Sequence, residues 1–267
     1  MQDNSKSKGK AVKKGYAGRG HLPRGMEIVY EDDDLLVVNK PAGLLTMGTE
    51  DKKVGTAYYY LMDYVRKGGG NTRARIFIVH RLDKLTSGVL VFAKSEGVKL
   101  KLQADWEKTK KKYLAVVHGQ FVKKEGVITS YLAENKAFVM YSTKDPAKGK
   151  LSHTAYKVLQ ESKRFSLVEV DLLTGRKNQI RVHMTDMGHP VVGDDKYGKA
   201  KGIYKRLALH AKSISFVHPV TGKTMMFETR TPHYFGTLME SHRSQVTRRQ
   251  EATVGEKGGS GEGSSKF

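Results

Sequence analysis

IFIVHRLDKLTSGVLVFA (Ile76–Ala93) sets two apolar β-type runs, Ile76–Val79 and Val89–Ala93, on either side of a polar loop. A polar loop held between two buried strands is a rigid mount for reactive groups. Runs of the same kind recur outward from it. MEIVY and LLVVNK flank the acidic turn Glu31–Asp34 and predict a hairpin. Downstream, YLAVV (Tyr113–Val117), GVITSYL, AFVMYS, TAYKVLQ, SLVEVDLL, SISFV and TMMFETR continue the pattern. Helical spacing is confined to Val54–Arg66, Glu96–Glu107 and Asn178–Met187, and Lys99–Leu102 within the second also alternates like a strand. Many strands with few helices between them predict an α+β fold: a mixed, mostly antiparallel sheet with helices packed on it. No GxGxxG follows a strand and no GxxxxGK[ST] occurs, so neither a Rossmann nor a P-loop reading applies.

The chain has 267 residues, with 48 Lys+Arg against 27 Asp+Glu and a net charge of +21. The first 25 residues carry six of these charges and residues 241–267 carry two, so residues 26–239 are themselves strongly basic. A folded body of that charge suits a polyanionic partner, most simply nucleic acid. Residues 1–25, Gly/Lys-rich and without apolar periodicity, are expected to be disordered, and 240–267 to form a flexible Gly/Ser/charged tail. The folded unit is thus expected at 26–239. The absence of cysteine removes disulfides, thiolate nucleophiles and Cys-containing metal sites. No apolar run approaches a membrane span and the N-terminus lacks a secretory h-region, which leads to the expectation of a cytoplasmic protein, by default a monomer.

Within the loop, Asp83 is the only acid, with Arg81 and Lys84 beside it. An ionised, positioned carboxylate serves as nucleophile or general base; an ordinary turn aspartate bonding the amides of Thr86–Gly88 is the plainer alternative. The order His-Arg-Leu-Asp, with no DFG following, fails as a kinase loop. The histidine pairs 183/189 and 210/218 lack zinc spacing, Glu31–Asp34 reads as a solvated turn rather than a magnesium site, and Asp194-Asp195 after Gly193 reads as a turn. Lys108–Lys112 leads four lysines into the aromatic strand at Tyr113, equally a soluble loop or a backbone-tracking groove.

HRLDKLTSGVLVFAKS (His80–Ser95) resembles the signature of the RluA-type RNA pseudouridine synthases. Three further blocks stand in that family's order: VYEDDDLLVVNKPAGLL (Val29–Leu45), KKYLAVVHG (Lys111–Gly119), and LLTGRKNQIRVHMTDMGHPVVGDDKYG (Leu172–Gly198) with LALHAKSISFVHPVTGK (Leu207–Lys223). The resemblance spans nearly all of the expected folded unit and implies that family's fold, an α+β sheet with packed helices and a central cleft. It implies that specific uridines in structured RNA, ribosomal or transfer, are isomerised without metal, nucleotide or organic cofactor. The competing reading is a non-catalytic RNA-binding or ribosome-assembly factor on the same fold.

By position, the resemblance makes Asp83 the catalytic aspartate, Tyr113 the tyrosine that packs on the target base, and Arg181 the partner of Asp83. Ile180 is implied in the apolar wall, and Arg81 in filling the gap left by an extruded base. His80, Thr86, Ser87, Arg176, Lys177, Asn178 and Gln179 complete the expected substrate contacts. One departure stands out: Lys177-Asn178 occupies the place of the family's usual Thr-His. That exchange is expected to bear on substrate contacts more than on catalysis.

Overall fold

The computed structural model describes residues 22–48, 54–68, 72–198 and 202–240. The N-terminal segment up to residue 21 and the tail beyond Glu240, both expected to lack structure, lie outside the described residues. Leu22 is already packed against the core, four residues before the expected boundary.

The strands are β1 (Glu27–Glu31), β2 (Leu35–Lys40), β3 (Phe77–Ile78), β4 (Ser87–Ala93), β5 (Lys110–His118), β6 (Glu125–Glu134), β7 (Met140–Thr143), β8 (Lys150–Glu161), β9 (Phe165–Leu172), β10 (Leu209–Val217) and β11 (Thr224–Glu228). The helices are α1 (Ala57–Gly68), α2 (Glu96–Ala104), α3 (Gln179–Asp186) and α4 (His233–Glu240). The expected hairpin forms β1 and β2. Helix α1 starts three residues later than its periodicity indicates, after a turn at Val54-Gly55. The ambiguous segment is helix, capped by the Ser95 side chain on Val98 N, and it stops at Ala104 before a short 3-10 turn, Trp106–Lys108. Helix α4 was not anticipated.

The strands form a sheet ordered β1-β2-β4-β10-β5-β9-β8-β6-β7, with β3 added on β4 and β11 on β10. Its strand pairs are antiparallel except β4 with β10, which run parallel over the short register His210↔Ser87 and Ala211↔Gly88. That seam joins an N-terminal and a C-terminal half of the sheet. Gly88 makes it possible: at φ +117° a side chain there is strained, and a Cβ would fall 2.2 Å from the Ala211 carbonyl oxygen.

Strands β2 and β4 are buried on both faces, which is why LLVV and VLVFA are continuous apolar runs rather than alternating ones. Leu36, Val38, Leu90 and Phe92 pack on Leu61 and Tyr64 of α1. Leu35, Val37, Val89 and Val91 pack with Val98 and Leu102 of α2. In the C-terminal half, Ile180 and Met184 of α3 and Phe235 and Leu238 of α4 join Val116, Val168 and Val170 in one cluster, with Met187 against its edge. Ile180, Met184 and Met187, at helical spacing within Asn178–Met187, thus share the face that anchors α3. Among the described residues no helix is long and apolar enough to cross a membrane.

Candidate active site

The loop 79–86 is held from below by the segment that follows β2. Thr46 Oγ1 donates to the Leu82 carbonyl (2.8 Å) and accepts from Leu82 N (3.2 Å), and Gly43 N donates to the Lys84 carbonyl (2.8 Å). Lys40, fully buried, points Nζ at the carbonyls of Leu44 (2.7 Å), Pro41 (3.0 Å) and Lys84 (3.3 Å). Burial lowers the Lys40 pKa to about 7, against the opposing pull of the Asp83 charge. The block Val29–Leu45 thus serves as the base plate of the loop. Asp83 closes a turn in which Thr86 N donates to its carbonyl (3.1 Å), leaving the carboxylate for other partners.

Those partners come from α3, on the other side of the seam. Arg181 Nη1 donates to Asp83 Oδ2 at 3.2 Å, and Asn178 Nδ2 to the same oxygen at 2.5 Å. The sequence neighbours Arg81 and Lys84 make no ion pair with Asp83; both are exposed. Arg181 is itself buried and gripped by Asp194, Nε to Oδ2 at 2.7 Å and Nη2 to Oδ1 at 2.8 Å. Burial alone would lower the arginine's pKa, but the bonds and charge of Asp194, then those of Asp83, outweigh it and raise it. The Asp194 pair sits in a turn as expected, yet the first carboxylate is 3% exposed and does much more than shape that turn.

Asn178 is correctly placed only because it caps α3 in the left-handed region, φ 53°. Asparagine tolerates that conformation better than most residues. Tyr197 Oη donates to Asn178 Oδ1 (3.1 Å), which aims the Asn178 amide at Asp83, and its ring lies 5.0 Å from the Arg181 guanidinium. Asn178 thus touches Asp83 directly, a contact that the sequence did not assign to it. Lys177 does not stack over Arg181 as a helical i,i+4 pair; it precedes the helix and pairs with Glu134.

Around Asp83 opens a cavity of about 510 Å³, within the range of small-ligand pockets. Its lining includes Arg81, Leu82, Thr86, Tyr113, Arg176, Lys177, Asn178, Gln179 and Ile180. Tyr113 packs against both halves of the core, and burial, then the Asp83 charge, raise its pKa. Gln179 is turned inward: it bonds Thr174, Arg176 N, Thr154 and the His153 carbonyl, fixing the loop that enters α3.

His80 and Ser87 are used for structure. His80 Nε2 accepts Val91 N at 3.1 Å, its ring packs on Trp106 at 4.8 Å, and burial, then Lys111, lower its pKa to about 3. It borders the cavity as a neutral strand clamp. Ser87 Oγ bonds His210 Nδ1 at 2.9 Å and lies off the cavity altogether. Of the lysine run, Lys108 pairs with Asp105 and Lys112 with Glu169 and Asp171, while Lys111 turns into the cavity wall, Nζ on the Trp106 carbonyl at 3.2 Å. The acidic hairpin turn is also committed: Asp32 accepts Asp34 N, Leu35 N, Tyr30 Oη and a bond from His218 Nε2. Trp106, Lys111, Tyr197 and the Arg181 grip of Asp194 were not anticipated from sequence.

The family described as RNA pseudouridylate synthase matches residues 34–186. The chain is 36% identical over 211 residues to the uncharacterized RNA pseudouridine synthase YhcT of Bacillus subtilis, covering 78% of this chain and 69% of that one. It is 36% identical over 238 residues to ribosomal large subunit pseudouridine synthase D of Zymomonas mobilis, covering 82% and 74%. Human RNA pseudouridylate synthase domain containing 4 superimposes with a TM-score of 0.69 at 23% identity, covering 81% of this chain and 92% of that one, a likeness of fold. Since the family match takes in more than half of the chain, including Asp83 and Arg181, and the relatives align along most of their length, the chain belongs to the RluA-type RNA pseudouridine synthases, enzymes that isomerise uridine in RNA.

Proposed function

We propose that the enzyme converts specific uridines of structured ribosomal RNA to pseudouridine, with Asp83 as the catalytic carboxylate. The observation that carries this reading is the state of Asp83 at the cavity wall. Both of its protein contacts fall on Oδ2, and Oδ1 has no partner among the described residues. A carboxylate fixed by one oxygen and open at the other is poised to act on a bound nucleotide. Two relatives named as ribosomal large subunit pseudouridine synthases support ribosomal RNA as the substrate class.

The isomerisation breaks the N1–C1′ bond, turns the uracil within the site, and forms a C5–C1′ bond; C5 loses its proton and N1 gains one. The freed base must stay in place throughout. Tyr113 and Ile180 supply apolar walls for it, and Leu82 closes the same cavity. Exclusion of water there guards against loss of the intermediate. The cavity is concave, so the uridine enters extruded from its stack, at a cost of about a few kcal/mol offset by phosphate contacts. Arg81 and Arg176, exposed at the mouth, are placed for the space vacated in the RNA and for its backbone.

The test is tritium release from ribosomal RNA labelled at uridine C5, comparing wild type with Asp83→Asn. Release by wild type and none by the variant is expected. No release from any cellular RNA by wild type would leave only a binding protein, and an active Asp83→Asn would remove Asp83 from the chemistry.

A further inference from the structure

The loop 81–87 has two sides. Asp83 and Thr86 line the uridine cavity; Leu85 and Ser87 line a second depression, of about 680 Å³, on the other side. Three separate segments converge on it: Arg24 before β1, Lys205 and Arg206 before β10, and Arg230 after β11. Glu27 is the sole acid among its described lining residues. All four cations are exposed, and among the described residues none has a carboxylate within ion-pair distance. In this they differ from the paired lysines of the surface. Lys67, Lys94, Lys108, Lys112, Lys124, Lys148, Lys177 and Lys212 each have an acidic partner.

Unneutralised cations gathered from distant parts of the chain raise the folded state's electrostatic energy unless an anion joins them. The floor is rigid. Pro41–Gly43 is tied to the catalytic loop through Gly43 N and the Lys84 carbonyl, and His210 is fixed between Ser87 Oγ and Thr229 Oγ1, each at 2.9 Å. Burial, then Lys212 and Arg206, keep His210 neutral down to about pH 4, so the exposed charge lies on the rim; the cation of the floor, Lys40, turns its Nζ to the carbonyls of Pro41, Leu44 and Lys84.

We propose that this groove holds the phosphodiester backbone of the RNA strand next to the target uridine, so that the strand crosses the catalytic loop with its base on one side and its phosphates on the other. The inference rests on the reading of Asp83 as the catalytic carboxylate and adds a binding site to it. Arg24, Arg206 and Arg230 are binding residues in this arrangement and take no part in the bond changes.

The experiment uses the full chain carrying Arg24→Gln, Arg206→Gln and Arg230→Gln together, with in vitro transcribed large-subunit ribosomal RNA labelled at uridine C5 as the probe. A second protein, with Lys101→Gln, Lys163→Gln and Lys223→Gln, loses the same charge elsewhere. The arginine variant is expected to show a salt dependence of RNA retention shallower by about 2 in log–log slope, at roughly 0.7–0.9 per phosphate contact. Its KM should rise about tenfold with kcat within about twofold of wild type, the signature of lost ground-state binding. The lysine variant should match wild type. An unchanged slope and KM, an equal loss in the lysine variant, or a loss confined to kcat would each overturn the proposal. Should wild type release no tritium from any RNA, the enzymatic reading fails instead, while the salt slope still decides on the groove.

Discussion

Asp194 takes two of the three nitrogens of Arg181, at 2.7 and 2.8 Å, and leaves Nη1 for Asp83 at 3.2 Å. The guanidinium thus belongs structurally to the buried aspartate and is lent to the half-buried Asp83. Bidentate pairing fixes the orientation of an arginine as well as its charge. Asp83 is therefore paired with a cation whose position is set by another residue.

Asp194→Asn keeps the shape of the turn, including an oxygen for Lys196 N and Tyr197 N, but removes the charge that holds Arg181. Breaking a buried pair costs about 3–5 kcal/mol, so the melting temperature should fall. Tritium release should drop in kcat by on the order of a hundredfold with KM little changed. A variant that is merely less stable, with normal kcat on the folded fraction, would show that Asp194 supports the fold and does not position Arg181.

Asn178→Gly keeps the left-handed cap available and deletes the amide bonded to Asp83. Loss of a preorganised donor at a reacting centre costs about 10²–10³ in kcat, and Tyr197→Phe, which only releases the amide orientation, should cost less. Steady-state kinetics on labelled RNA separate the two. Equal kcat in wild type and Asn178→Gly would return this position to the role of a helix cap.

Arg181→Met leaves the side chain's bulk against Tyr197 and removes the partner of Asp83. Turnover should vanish while retention of ribosomal RNA on a filter stays within about threefold of wild type, because the guanidinium is buried and its three contacts are internal to the protein. Collapse of binding with residual turnover would assign Arg181 to phosphate instead.

The residues that these variants probe divide along what a sequence can carry. Strands β2 and β4 were legible because two-sided burial writes itself as an unbroken apolar run, and α3 because Ile180, Met184 and Met187 recur at helical spacing. Helix α4 was not, since His233–Glu240 is too short for a long periodicity and is held by Phe235, Leu238 and Met239 in a core assembled from remote strands. Asp83, Tyr113 and Arg181 were reached through resemblance of motifs. Their support was not: Gly193-Asp194-Asp195 has the same local appearance whether its first carboxylate faces water or a guanidinium. Likewise His80 and Ser87 adjoin the reactive stretch in sequence but are turned to Val91 and His210 by strand geometry.

Acid should unfold the protein through two of its neutral histidines. Burial lowers His80 to about 3 and His210 to about 4, from 6.5 in the unfolded chain. A depressed folded pKa means that the unfolded chain takes up the proton first. The stabilising contribution is therefore complete above about pH 6.5 and is lost as pH falls toward the folded values. Urea midpoints measured between about pH 7 and pH 4 should decline for wild type and decline less steeply for His210→Gln. Parallel curves would mean that His210 titrates alike in both states.

Lys40 gives the same linkage at the alkaline end. Its folded pKa of about 7 lies below the 10.5 of a free lysine, so between those values the unfolded chain holds a proton that the folded chain does not. Its contribution is complete above about pH 10.5 and is lost as pH falls through 7, where the ammonium must be buried. Lys40→Met removes this dependence and also leaves the carbonyls of Pro41, Leu44 and Lys84 without their donor. Each such carbonyl costs about 1–3 kcal/mol if water does not reach it, so the variant should be less stable at every pH. The gap should widen from about pH 6.5 to pH 9.5, because only wild type gains stability over that interval. Paired urea titrations at the two pH values measure the gap directly. A constant gap would leave Lys40 as a pH-independent peg beneath the Asp83 loop, and a gap that narrows would mean the ammonium is better accommodated by its three carbonyls than burial allows.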